Sequence, residues 1–424
     1  MSEPHAPSYY AASINDATRY PRLEGTIQTD ICVVGGGFSG VATALTLAER
    51  GYKVALVEAN RIGWGASGRN GGQLIGGISG EAEIERQHGE AGARMLRDIR
   101  YRGHDIVIER IAKYKFDCDL KRGWMEAAAR PKHMVALRKH YAALEATGDA
   151  GDLELVEPQD MGGVLATSRY HGGLIDRRSG HLHPLKLVMG EARAASELGV
   201  RIFEDTRAVS ISGGAKPHVI TEKGRIDAGT IVLGGEIYDG FNKPKLSGLM
   251  FPTGSYIIAT EPLGNNMATA LNPRDLAVAD TNIVLDYFRL SADKRMLFGG
   301  RCNYSNRDPA DIAASLVPRL TGIFPQLSNA KIDFAWGGRI GIIINRVPAI
   351  GRIEPNLYYM QGYCGHGVNA THIAAEIVSD AISGTTEKFD MFDRIRHVRL
   401  PLSGWAGNQM LALGMLYYRL KDRI

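Results

Sequence analysis

The sequence predicts a mixed α/β protein in two parts, a parallel-sheet unit made of β-α-β segments and a β-rich middle that forms a separate sheet. Three observations carry this. Residues 29–58 read as strand, glycine turn, helix and strand; the apolar period becomes strand-like from about residue 200 to 300; and LYYMQG at 357–362, followed by a helix over 368–383, returns to the α/β pattern. The 424 residues suit two domains or one large two-part domain, and the 44% apolar and 23% charged content is that of a soluble globular chain. No apolar stretch approaches the ~20 residues of a membrane-spanning helix. A net charge of +4 is too small to imply nucleic-acid binding by bulk electrostatics. Cys32, Cys118, Cys302 and Cys364 stand far apart, so neither a disulfide framework nor a metal site is expected. The opening MSEPHAPSYYAASIND lacks the apolar core of a secretory signal, and a cytoplasmic location is expected.

TDICVV at 29–34 is a short buried strand that GGGFSG at 35–40 breaks. The following helix aligns Val41, Leu45 and Ala48 and stops at Gly51, and KVALVE at 53–58 is the second strand. Short connections favour a parallel pair with a right-handed crossover. A glycine-rich stretch at 63–80 leads to helical periodicity over 81–115, through Met95, Leu96, Ile99, Ile106 and Ile111, and to a helix over 131–147 opened by Pro131. RIFEDTRAVSI, HVITEK and RIDAGTIVLGG read as strands, the last two hinged near Lys223-Gly224. GSYIIAT, NIVLDYFRL and RMLFGG follow, with SADK at 291–294 as a hairpin turn, then a helix over 309–322 and a strand over 331–337. The tail at 410–424 has the pattern of a docking or amphipathic helix.

Gly35, Gly37 and Gly40 fit GxGxxG with its required context, a strand before, a helix after, and an acidic residue, Glu58, ending the next strand. The first glycine permits the tight turn, the second lets backbone approach a pyrophosphate, and the third lets helix and strand pack closely; Glu58 takes ribose hydroxyls, which favours FAD or NAD over NADP. The second glycine-rich run, RIGWGASGRNGGQ at 61–73, offers extra backbone and hydroxyl donors and favours the longer FAD. Its alternative is an ordinary surface loop.

DICVVGGGFSG, ASGRNGG, SGHLHPLKL at 179–187 and GYCGHGV at 362–368 resemble the D-amino-acid oxidase superfamily of FAD enzymes. The SYYAAS entry, LDYFRL, IFPQL and YYMQGY narrow the resemblance to its gamma-glutamylputrescine oxidase branch and extend it over nearly the whole chain. The resemblance implies a discontinuous Rossmann-like FAD-binding domain (1–78, 150–245 and 346–390), a β-rich substrate domain (79–149 and 246–345) and a C-terminal tail (391–424). It places Gly35, Gly37, Phe38, Ser39, Gly40, Glu58 and Ala59 on the adenosine diphosphate half, and Gly65, Ala66, Ser67, Arg69, Asn70, Gly71, Gly72 and Gln73 near pyrophosphate and flavin. Val209 matches a position whose backbone meets the adenine, and Gly234 and Gly235 replace the family's Ala-Thr-Gly turn. Gly362, Gly365, His366, Gly367 and Val368 come to the isoalloxazine ring. Some relatives attach FAD through a cysteine; residues 336–351 contain none, so noncovalent FAD is expected. Cys364 reads as a small buried thiol.

The activity implied is amine oxidation: hydride passes from the amine α-carbon to flavin, the imine hydrolyses to aldehyde and ammonia, and oxygen reoxidises the cofactor to give hydrogen peroxide. Gamma-glutamylputrescine or a similar polyamine conjugate is the expected substrate. The alternatives are an amino or imino acid dehydrogenase serving a quinone or carrier protein, and a non-catalytic flavoprotein. His366, Tyr287, Arg289 and Trp336 are the candidate catalytic residues, with Tyr256 and Arg339 beside them in the pocket. Aromatic rings suit an alkylammonium and arginines a carboxylate, although each ring equally serves sheet packing. His181 and His183 are read as leading into a helix that begins at Pro184.

Overall fold

The computed structural model describes residues 3–236, 243–303 and 308–399. In chain order these form α1 (Tyr9–Ala12), β1 (Gly25–Val34), α2 (Phe38–Glu49), β2 (Val54–Val57), β3 (Gln73–Leu74), α3 (Glu81–Ile99), α4 (Arg102–Tyr114), β4 (Lys121–Ala127), α5 (Pro131–Thr147), β5 (Leu153–Val156) and β6 (Gly173–His181). Next come α6 (Pro184–Glu197), β7 (Arg201–Phe203), β8 (Ala208–Ser212), β9 (His218–Thr221), β10 (Gly224–Leu233), β11 (Met250–Thr260), α7 (Gly264–Leu271), β12 (Ala277–Asp280), β13 (Tyr287–Leu290) and β14 (Met296–Asn303). The chain then forms α8 (Ile312–Ile323), β15 (Ile332–Ile343), β16 (Ala349–Glu354), β17 (Leu357–Gln361), α9 (Gly367–Ile382) and α10 (Glu387–Asp393).

The first sheet has the order β16-β17-β10-β1-β2-β7, with β9 added to β10 and β8 to β9. Its centre is parallel: β1 pairs with β2 and β10, and β10 with β17. Both faces of the centre are covered, which is why the inner ends of β1 and β2 are unbroken apolar runs. Ile31, Val33 and Leu56 face the core that contains α2 and α9, and Cys32, Val34, Ala55 and Val57 face the other side. α2 packs on α6 and α9, and α4 on α9.

The second sheet runs β15-β11-β14-β13-β12-β4-β6-β3, with β5 beside β6. One face sends Ile257, Leu297 and Trp336 into the core shared with the first sheet. The opposite face packs Tyr256, Ile258, Phe288 and Phe298 on Leu316 and Leu320 of α8. Strand pairing and core packing both cross the domain boundaries expected from sequence. β5 and β6, inside the 150–245 segment assigned to the cofactor domain, bond into the second sheet, as does β3 from the 1–78 segment. Conversely Met95, Leu96, Ile99 and Val107, in the 79–149 segment, join the core that covers the first sheet. Strand pairing is chosen by distant partners and register, which local sequence does not display. The tail helix expected at 410–424 lies outside the described residues.

Candidate functional site

The candidate site is built where the parallel strands β1, β2 and β17 end. Gly35 leaves β1 at φ +109°, and a Cβ there would lie 2.7 Å from the Gly235 nitrogen, so Gly35 and the Gly234-Gly235 pair let two strand ends meet. Gly37 caps α2, and a Cβ on it would lie 2.9 Å from Ser67 Oγ; Gly40 packs on the Gly35 carbonyl with no space for a side chain. Ser67 Oγ accepts the Phe38 amide (2.8 Å), while Ser39 Oγ donates to Tyr363 Oη (2.8 Å) and ties α2 to the loop before α9. Glu58 accepts the amides of Gly36 (2.7 Å) and Asn60 (2.8 Å), with Ala59 half-buried beside it. Burial raises the Glu58 pKa, against the pull of those two amides. The backbone next to Glu58 is that of Phe203 and Thr206; Val209 lies further on, on β8, with its side chain exposed.

The 61–73 loop is clamped between the sheets. Gly65 precedes the turn Ala66–Gly68, and Asn70 ties it by donating to the Ala66 and Ser67 carbonyls and accepting from Gly72. Arg69 donates to the Trp64 carbonyl and lies 4.4 Å over the Trp64 ring. Gly71 abuts Tyr287, whose ring would be 2.7 Å from a Cβ there. Gln73 bridges the second sheet, accepting from Trp124 Nε1 and donating to the Val278 carbonyl.

The α9 end faces this loop. Gly362 and Gly365 have φ +79° and +92°, and His366 caps the helix. Around Gly365 and Gly367 the backbone is bare but not crowded: added Cβ atoms would make ordinary van der Waals contact, with the nearest atoms 3.9 and 3.8 Å away. Val368 is buried below. Burial, then the charge of Arg346, lowers the His366 pKa and keeps its ring neutral at neutral pH. Cys364 accepts the Ile343 amide (3.3 Å), and burial raises its pKa. Glu236, which sequence reasoning missed, faces the backbone amides of Tyr363, Gly362 and Gly341; burial pushes it up to about 7 against their pull. Its only sequence signal is an acid directly after the Gly234-Gly235 turn.

The expected substrate arginines stand elsewhere. Arg289 is buried and donates to the carbonyls of Gly71 (2.7 Å), Leu182 (2.8 Å) and Leu290 (3.2 Å) and to Tyr10 Oη (3.1 Å), so it joins three segments instead of offering a guanidinium to a carboxylate. Arg339 lies on the α8 side of the sheet with Tyr256, where both hold Asp308, at 3.3 and 2.8 Å. Strand alternation turns Arg339 to the α8 side, whereas Arg289 shares the inner face of Tyr287, two residues along β13, and is taken up by carbonyls there; a β-rich stretch read without its partners does not say which face is inward. Trp336 is buried and donates to the Arg69 carbonyl (2.9 Å), which makes it a positioning residue; Tyr287 stays half-buried at the site. His183 caps α6 and His181 bonds the Asp275 carbonyl, so both serve structure.

Residues 30–381 match the FAD-dependent oxidoreductase family, DAO. The chain belongs to this family. Bare glycine backbone, two helix starts and a buried acceptor carboxylate fit FAD: the Gly35–Gly40 turn and Glu58 suit the adenosine diphosphate half, and the side-chain-free backbone at Gly365 and Gly367 suits the ring. As a member of this family the protein is an FAD-dependent oxidoreductase. It is 40% identical over 422 residues, 99% of both chains, to gamma-glutamylputrescine oxidoreductase of Escherichia coli (strain K12). It is 36% identical to a probable oxidoreductase, OrdL, of Haemophilus influenzae, over 99% of this chain and 98% of that one. Glycine oxidase from Geobacillus kaustophilus shares the fold at a TM-score of 0.72 and 19% identity, covering 88% of this chain and 99% of its own. L-proline dehydrogenase from P. horikoshii does so at 0.69 and 21%, covering 92% and 99%. No helix among the described residues is long and apolar enough to cross a membrane.

Proposed function

We propose that this DAO-family protein oxidises the primary amine of gamma-glutamylputrescine or a closely similar acylated polyamine. Amine, oxygen and water give aldehyde, ammonia and hydrogen peroxide. The observation that carries this reading is the 40% identity, without truncation on either side, to an enzyme named for that substrate. FAD, held noncovalently since residues 336–351 contain no cysteine, supplies a two-electron acceptor when bound.

The chain's own residues bind, orient and exclude water. The first turn of α2 presents amides to the diphosphate, and Glu58 offers its carboxylate to ribose hydroxyls. Gly365 and Gly367 leave room for the ring at the start of α9, where the helix dipole favours negative charge. Tyr287 gives the amine an aromatic wall, and Trp336 fixes the 61–73 loop through the Arg69 carbonyl. An amine gives up hydride only with its nitrogen lone pair free, so turnover rises with pH towards the pKa of the amine, without a strong base from the protein.

Peroxide release by the purified yellow protein, over a panel of gamma-glutamylputrescine, putrescine and plain amino acids, tests the proposal. Fast turnover of gamma-glutamylputrescine with matching peroxide supports it. Flavin bleached by substrate but reoxidised only by a quinone or carrier protein would replace the oxidase with a dehydrogenase, and preference for a plain amino acid would overturn the substrate.

A further inference from the structure

Opposite the α9 glycines the second sheet presents one small face. Thr253 pairs with Ile340 and Ser255 with Gly338 across β11 and β15, and directly opposed residues share a face. It is the face of Ile257 and Trp336, which point into the core shared with the first sheet. Ile340 Cδ1 is the nearest atom to a Cβ on Gly365, at 3.9 Å, and Gly338 lies over Arg69 of the glycine-rich loop. Tyr287 joins the same wall, with its Oη 3.4 Å from Ser255 Oγ. Thr253 is fully buried, and its hydroxyl has no hydrogen-bond partner among the described residues. The arginines to either side are committed elsewhere: Arg339 to Asp308 on the outer face, Arg289 to three carbonyls and Tyr10.

We infer that Ile340 determines specificity, admitting an unbranched amine carbon and excluding a carboxylate on the carbon that is oxidised. The inference rests on the amine-oxidising function proposed above and names the class of amine the site accepts. A carboxylate pressed against Ile340 would lose its water and, with Arg69 held on the Trp64 carbonyl and ring, would find no uncommitted arginine among the described residues of this wall, which is strongly unfavourable. A methylene group there only exchanges water for apolar contact, which is favourable. The free Thr253 hydroxyl beside it suits an uncharged nitrogen, as donor or acceptor.

The test uses FAD-loaded wild type, Ile340→Arg and Ile340→Ala, with anaerobic flavin bleaching read for gamma-glutamylputrescine, n-butylamine, sec-butylamine, glycine and both alanine enantiomers. In Ile340→Arg the amino-acid to amine ratio of kcat/KM should rise by about tenfold or more, as a new charge-assisted bond to a carboxylate implies. In Ile340→Ala the ratio for sec-butylamine over n-butylamine should rise, since the removed side chain makes room for a branch; this arm decides the matter if the arginine variant does not retain FAD. Ratios that stay at wild-type values in variants with full flavin content overturn the inference while the amine function stands. A wild type bleached by amino acids and by no amine overturns both.

Discussion

Replacing Arg289 by methionine would strand the carbonyls of Gly71 and Leu182 inside the protein. Each buried acceptor left without a donor costs about 1–3 kcal/mol, so the variant should unfold several degrees below wild type in a thermal melt. A wild-type melt with only KM raised would instead restore the carboxylate-binding role that the sequence suggested. Gly37→Val and Glu58→Ala should both lower FAD content per purified chain. The first drives a branched side chain towards Ser67 Oγ and the second removes the acceptor that Gly36 and Asn60 share. Flavin absorbance against protein measures this, and full occupancy in both variants would reject the cradle.

At the scale of single elements, α6 depends on an unusual cap. His183 Nδ1 accepts the Lys186 amide (3.1 Å), so its proton sits on Nε2, which faces Ser13 Oγ at 3.0 Å and ties down the N-terminal segment. His183→Leu should therefore cost about 1 kcal/mol or more in denaturant titration, and His183→Asn, a good cap in its own right, should cost less. Elements with local signals were legible from sequence. The helix expected over 131–147 is found as α5, Pro131 to Thr147, because proline opens it and Gly148 in the left-handed region closes it. The helix expected over 81–115 is interrupted: Gly89 leaves helical geometry at φ +57°, and α3 and α4 separate near Tyr101. The strand expected over 201–211 divides into β7 and β8 around Asp205, at φ +51°. The glycine motif and Glu58 were legible because their chemistry is local. The facing of Arg339, the partners of Arg289 and the arrival of Glu236 beside Gly362 were not, since they depend on strands paired across the whole chain.

Over the whole molecule, buried histidines make acid the weak side. Burial, then the charges of Arg289 and Lys186, holds His183 at about 3, and burial likewise lowers His181. The unfolded chain takes up these protons at ordinary histidine values, near pH ~6.5, while the folded chain resists them. Their stabilising contribution is thus complete above about pH 6.5 and drains away as pH falls towards 3. The melting temperature should decline through that window in wild type and more gently in His183→Asn. A parallel decline in the two proteins would show that His183 is not the titrating group.

The central strand of the first sheet is made early and one of its two partners late: β2 follows directly, but β1 waits for β10, and β10 for β17 and then α9. A ribosome that has translated only the first two-thirds of the message therefore carries a glycine turn with one of its two helix starts missing. Such a nascent chain leaves the apolar flank of β10 uncovered, and pairings between strands so distant in sequence are the ones that form slowly and expose an edge meanwhile.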